Sequence, residues 1–136
     1  MQINPYLAFN GKCKEAFAFY EKCLGGKIEQ MMTNGQSPMA GQMPLDQHER
    51  IMHARLVAGD QVLMGGDAPP QYFTQPQGFS VSLNFKERAE AERVFTAMSE
   101  GGAVKMPFQK TFWSAGFGMF VDRFGIPWMV NCEQEP

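Results

Sequence analysis

The sequence predicts an α+β fold of two βαβββ modules related by pseudo-two-fold symmetry, and three observations predict it. Residues 4–28 and 80–104 align without a gap at a constant offset, so that Leu7 matches Leu83, Phe9 matches Phe85 and Phe19 matches Phe95. Each aligned stretch opens on an alternating apolar pattern and closes on a glycine pair, Gly25-Gly26 or Gly101-Gly102. Behind each pair come further strand-like runs, joined by turn residues. A two-unit repeat is too short for a solenoid, so it reads as two half-domains. The expectation is that each supplies half of one curved mixed sheet with helices outside, and that any site lies between the halves.

Each element has its own signal. Ile3 to Phe9 alternates as a half-buried strand. The following helix, 11–24, carries Cys13, Ala16, Phe17, Tyr20 and Leu24 on one face at three- and four-residue spacing. Gly25-Gly26 ends it, because glycine takes the left-handed conformation of a helix C-cap cheaply. Lys27 to Thr33 reads as a strand, and 34–49, rich in Gly, Pro, Gln and Met without periodicity, as a loop. Ile51 to Val57 and Gln61 to Met64 form a hairpin turning at Gly59-Asp60. After a Pro-rich bridge, Gly65 to Gly78, the order repeats: strand Phe79 to Phe85, then helix 87–100 with Ala91, Val94, Phe95 and Met98 on its apolar face. Strands Ala103 to Phe108, Gly116 to Val121 and Pro127 to Cys132 follow, with Asp122-Arg123-Phe124-Gly125 as the last turn. At 136 residues this is a single domain, with a first module at 1–66, a linker at 67–77 and a second module at 78–136.

Composition excludes several classes of partner. A net charge of −2 without a basic cluster offers phosphate backbones nothing to grip, which argues against nucleic acid and equally against anionic membranes. No long apolar run and no charged-then-apolar leader occurs, so a cytoplasmic protein is expected. Cys13 and Cys23 lie about 15 Å apart along one helix at the usual rise per residue, too far for a disulfide. With Cys132 they read as buried or incidental thiols, since no pair has metal-ligand spacing.

Familiar catalytic motifs are also missing. His48-Glu49 and His53 superficially resemble a zincin signature, but the histidines are five apart rather than four and the second falls on a strand. No glycine-rich strand-to-helix turn of the nucleotide-binding kind occurs, and no Gly-x-Ser-x-Gly elbow.

Several motifs stand in a telling order: Pro5-Tyr6-Leu7 with Phe9, Phe19-Tyr20 before Gly25-Gly26, and Met52-His53-Ala54 followed by Gly59-Asp60. In the tail come Phe112-Trp113, Gly118, Asp122-Arg123-Phe124-Gly125 and Pro127-Trp128. In this succession the chain resembles the vicinal-oxygen-chelate superfamily, the glyoxalase and bleomycin-resistance fold of paired βαβββ modules. The resemblance is closest to its PhnB-like branch, whose members often carry a demethylubiquinone methyltransferase label; no cofactor motif in the sequence supports that label. In metal-dependent members the resemblance implies one ligand on the first and one on the last strand of each half, usually His and Glu. Ungapped alignment would put the first-strand ligands at Pro5 and Val81. Strand alternation instead turns Leu7, Phe9, Val81, Leu83 and Phe85 toward the helices and leaves Asn4, Tyr6, Ser80, Ser82 and Asn84 on the concave side. The implied ligand positions are then Asn4, Met64, Ser80 and Met129. They include no His or carboxylate, and Met is a soft donor unsuited to hard divalent ions, so neither a metal nor another cofactor is expected.

What remains is a cavity lining. His53 and Arg55 share a strand face with Ala54 and Leu56 on the other, and with Tyr6, Met64, Ser82, Trp113, Phe117 and Met129 they make an apolar pocket carrying a few polar groups. The bland reading of His53 is a hydrogen-bonded core histidine, and of the aromatics, core filling. Trp113 is expected between a loop and a flexible Ser114-Ala115-Gly116. Three functions are compatible: a metal-free module enclosing an apolar or aromatic small molecule, a cofactorless isomerase or lyase with His53 as acid/base and Arg55 stabilising negative charge, and a metal enzyme with ligands elsewhere. Absence of ligand residues favours the first. The resemblance further implies a homodimer, with the loops 34–49 and 65–77 able to complete each pocket across the interface.

Overall fold

The computed structural model describes residues 1–133. The chain forms two compact units, Met1–Thr74 and a second beginning at Gln75. In the first, β1 (Tyr6–Phe9) leads into α1 (Cys13–Leu24) and then β2 (Lys27–Thr33), β3 (Ile51–Ala58) and β4 (Gln61–Asp67). In the second, β5 (Val81–Phe85) leads into α2 (Arg88–Ser99), followed by β6 (Ala103–Gln109), β7 (Ser114–Val121) and β8 (Pro127–Glu133). The strand orders are β1-β4-β3-β2 and β5-β8-β7-β6, the same in both modules. Within each, the first strand pairs parallel with the last and the others pair antiparallel. The α+β class and the two βαβββ modules are therefore as expected. The single shared sheet is corrected: hydrogen bonding defines two four-stranded sheets, one per module.

Each helix buries its apolar stripe on one face of its own sheet. Cys13, Ala16, Phe17 and Tyr20 of α1 are buried with Leu7, Phe9, Ala54 and Leu56. Here Phe17 meets Phe9 edge-on at 6.2 Å between ring centroids, and Tyr20 meets Phe17 at 5.8 Å. In the second module Ala91, Val94, Phe95 and Met98 are buried with Phe120, Trp128 and Val130. Alternation is what permits this, since successive strand residues point to opposite faces.

Differences from the sequence reading are local. The first strand begins at Tyr6 rather than Ile3, and β4 continues past Met64 to Asp67 where a bridge was expected. The extension uses both glycines. A Cβ on Gly65 would lie 2.7 Å from the Phe17 ring, and one on Gly66 would lie 2.6 Å from the Tyr6 hydroxyl. Glycine thus admits one aromatic ring on each face of the strand. Asp67 then anchors its end: Oδ1 accepts from the Gly11 and Cys13 amides at 2.8 and 3.1 Å, and Oδ2 from the Ile51 amide at 2.8 Å. A carboxylate at the start of α1 satisfies donors that Lys12, the N-cap residue, leaves open.

The stretch 34–49 is more structured than a plain loop. Three short 3-10 turns span Asn34–Gln36, Ala40–Gln42 and Leu45–Gln47. Thr33 and Gln36 form a reciprocal capping box, and His48 Nε2 lies 2.9 Å from the Ala40 carbonyl and 3.2 Å from that of Met43. Cys13, Cys23 and Cys132 are buried thiols that form no disulfide among the described residues.

Candidate functional site

The face of the first sheet turned away from α1 carries four of the residues singled out from the sequence. Cross-strand register sets Tyr6 opposite Met64, Met64 opposite Arg55 and Arg55 opposite Gln30, forming one row over four strands. His53 follows in the next row, opposite Met32. The Tyr6 and His53 rings are stacked, with centroids 6.0 Å apart and planes inclined by 25°. Lying over Gly66, Tyr6 donates its hydroxyl to the Met52 carbonyl at 3.2 Å. Its phenol is pushed above the ordinary value of 10.0, chiefly by burial and then by Cys13 and Asp67, so it remains a donor at neutral pH. Burial first and then Asp67 push up the Cys13 thiol, which is therefore inert.

Arg55 has an unusual environment. Its Nε is 3.2 Å from Glu29 Oε1, within ion-pair distance, yet it is screened from solvent and makes no directed hydrogen bond. The pairing jumps from Ile28↔Leu56 to Gln30↔Arg55, so Glu29 is the extra residue of a bulge. Its side chain is aimed by that irregularity.

The corresponding face of the second sheet carries Ser82, Met129 and Phe117. Ser82 lies opposite Met129, Met129 opposite Met119 and Met119 opposite Met106, which makes a row of three methionines. Phe117 is one row on, opposite Asn131, which itself lies opposite Asn84. Trp113 sits beside it at the tip of the β6–β7 hairpin, its ring edge-on to Phe117 at 5.4 Å and to Phe112 at 4.8 Å. The expected flexibility of Ser114-Ala115-Gly116 is corrected: these residues begin β7. Thr111 and Ser114 clamp the hairpin through a 2.7 Å hydroxyl contact and a 3.1 Å bond from the Ser114 amide to Thr111 Oγ1.

The eight candidates thus fall into two groups of four, one per module. Met106, Met119 and Glu29 were missed. The two methionines were readable, since Met119 alternates in step with Phe117. Glu29 was not, because a bulge leaves no pattern in the sequence. A shallow, open groove along α2, lined by Ala89, Glu92, Arg93, Thr96, Ala97 and Glu100, contains none of the candidates.

The metal expected in related folds does not fit these residues. Tyr6 and Ser82 stand opposite Met64 and Met129. With Asn4 and Ser80 preceding them, the positions offer neutral amide, hydroxyl and thioether groups to an ion that prefers imidazole and carboxylate. Among the described residues no group of three or more His, Cys, Asp or Glu side chains could hold a metal.

The tail motif has a structural role. Asp122 is buried, and its Oδ1 accepts from the Phe124 and Ile126 amides at 2.8 and 3.0 Å, while Oδ2 accepts from Trp128 Nε1 at 2.8 Å. Arg123 donates to the Glu100 carbonyl just beyond α2 through Nε at 3.1 Å and Nη2 at 2.9 Å. The motif therefore closes the β7–β8 turn and holds the end of the helix, and it brings no reactive group to the helix-free face.

Comparison with known proteins agrees with this architecture. A family model described as 3-demethylubiquinone-9 3-methyltransferase matches residues 1–131. Protein YjdN of Escherichia coli strain K12 is 33% identical over 146 residues, covering 100% of this chain and 99% of the relative. The crystal structure of PA1353 from Pseudomonas aeruginosa is 54% identical, with TM-score 0.91 and 99% of each chain covered. A putative 3-demethylubiquinone-9 3-methyltransferase, PhnB protein, from Bacillus cereus has 24% identity and TM-score 0.79, covering 97% of this chain and 99% of its own. Fosfomycin-resistance and glyoxylase/bleomycin-resistance structures share the fold at 7% and 11% identity, with TM-scores of 0.65 and 0.64. The chain belongs to the family described as 3-demethylubiquinone-9 3-methyltransferase, and it shares its fold with the PhnB, fosfomycin-resistance and glyoxylase/bleomycin-resistance structures.

Proposed function

We propose that this protein binds an apolar or aromatic small molecule, without a metal or organic cofactor, on the helix-free sheet face carrying Tyr6, His53, Arg55 and Met64. One observation carries the reading. A sheet face left to solvent normally carries polar side chains, but here the outward rows hold Tyr6, Met64 and Met32 in one module and Met106, Met119, Met129 and Phe117 in the other. Met is adaptable and polarisable, and Gln30, His53 and Arg55 on the first face and Ser82, Asn84 and Asn131 on the second set polar groups beside it, the mixture of apolar surface and polar handles that ligand sites use. Ser82, Trp113, Phe117 and Met129 are assigned to the same role in the second module. We place the protein in the cytoplasm as a homodimer, with neither nucleic acid nor membrane as partner. No helix among the described residues is long and apolar enough to cross a membrane. Light scattering at micromolar concentration tests the dimer, and a mass near 15.3 kDa would exclude it.

The test of binding uses the methionines themselves. With the methyl groups isotope-labelled, titration with a panel of apolar and aromatic fragments should shift Met64 and Met32 saturably. If no fragment moves a methyl on either outward face, the reading is overturned. A cofactorless isomerase or lyase is the second reading, favoured by the presence of His53 and Arg55 on one face. It requires a fragment that is converted as well as bound, with conversion lost in His53→Gln.

A further inference from the structure

We infer that Arg55 recognises a carboxylate on the bound molecule and that Glu29 occupies this position as a built-in stand-in when no ligand is present. The inference rests on the ligand-binding reading and adds the chemical class of the ligand: an aromatic or apolar acid.

Arginine presents donors in a planar fork that matches a carboxylate, and a satisfied pair normally shows parallel, directed hydrogen bonds. Arg55 lacks them. Glu29 brings an oxygen to 3.2 Å from Nε, but the angle is wrong for a hydrogen bond, and Nε is screened from water at the same time. The donor is thus removed from solvent without a bond to replace the water, which leaves free energy to be recovered by an anion that docks squarely.

Glu29 is suited to yield its place. It is the extra residue of the β2 bulge, so no residue of β3 stands opposite it. Its side chain is 59% exposed, against 33% for Arg55, so releasing it to water needs little rearrangement. Bulges commonly re-aim a side chain in this way. The apolar wall for the remainder of such a ligand is adjacent, because Met64 stands opposite Arg55 in the cross-strand row and Tyr6 opposite Met64. A carboxylate on the guanidinium would set an attached ring or chain over Met64 and Tyr6.

The experiment uses two probes of the same shape, benzoate and the neutral benzamide, read by the Met64 methyl resonance. Wild type should bind benzoate about tenfold more tightly than benzamide. Glu29→Gln removes the competing charge and should tighten benzoate by about another tenfold while leaving benzamide unchanged. Arg55→Lys keeps the charge but loses the fork and should abolish most of the preference. Equal binding of both probes in wild type and Glu29→Gln would overturn the carboxylate inference while leaving the small-molecule reading standing. Benzoate binding unaffected or weakened in Glu29→Gln would overturn the stand-in role. Absence of binding by either probe in every variant would overturn the inference, and the reading beneath it would fall with it only if the whole fragment panel also left both faces unmoved.

Discussion

Replacing Asp122 by Asn should destabilise the second module substantially and leave the helix-free face intact. The carboxylate accepts three N–H groups with two oxygens, from Phe124, Ile126 and Trp128, at a position only 3% exposed. An amide of the same shape has one oxygen and one NH2. Whichever way it is turned, at least one N–H faces a donor. A hydrogen bond to a charged group is worth about 1.5–3 kcal/mol, and leaving its donor buried and unpaired adds to that, so the loss should be about 3 kcal/mol. This is a large part of a typical stability of about 5–15 kcal/mol. Urea unfolding followed by far-UV circular dichroism measures it. A loss below about 1 kcal/mol, or weakened fragment binding at unchanged stability, would refute the structural role given to this motif.

Three further outcomes are expected. Gly66→Ala should push Tyr6 off its seat, because the new Cβ would meet the hydroxyl at 2.6 Å and the Met52 carbonyl at 2.7 Å; overpacking of this kind costs about 1–3 kcal/mol, and the ring signals of His53 should shift with it. Because burial, Cys13 and Asp67 raise the Tyr6 pKa above 10.0, the folded state holds a proton that the unfolded chain releases; its contribution is full below that pH and is lost as pH rises through the folded value. Alkaline unfolding of wild type should therefore be steeper with pH than that of Tyr6→Phe, and identical pH dependence would contradict the shift. Elemental analysis of the untagged protein should find no stoichiometric Zn, Ni, Mn or Fe, and about one equivalent per chain would overturn the metal-free reading, since Asn4, Met64, Ser80 and Met129 suit none of these ions.

Much of the fold was legible because its determinants are local and repeated. Leu7 and Phe9 announce a strand whose alternate residues are buried, and their 1% and 2% exposure follows from the register chosen by alternation. Gly25 ends α1 as its position requires, in the left-handed region with its amide bonded to the Glu21 carbonyl at 3.1 Å. The same alternation put His53 and Arg55 on one face. Where the reading failed, tertiary contacts decided. Gly65-Gly66 looked like a bridge and became strand because Phe17 and Tyr6 pack against its two faces. Ser114 looked flexible until Thr111 clamped it. Pairing partners are not written in a strand, so the division into two sheets was not readable, nor was the bulge that aims Glu29 at Arg55.

The most direct measurement is a crystal structure of the protein purified without added ligand and then soaked with benzoate. Density for the molecule should lie against Met64, with Tyr6 and His53 beside it and its carboxylate on Arg55 in place of Glu29. Density confined to another surface, such as the groove along α2 lined by Glu92 and Thr96, would contradict the assignment of the helix-free sheet face as the binding site.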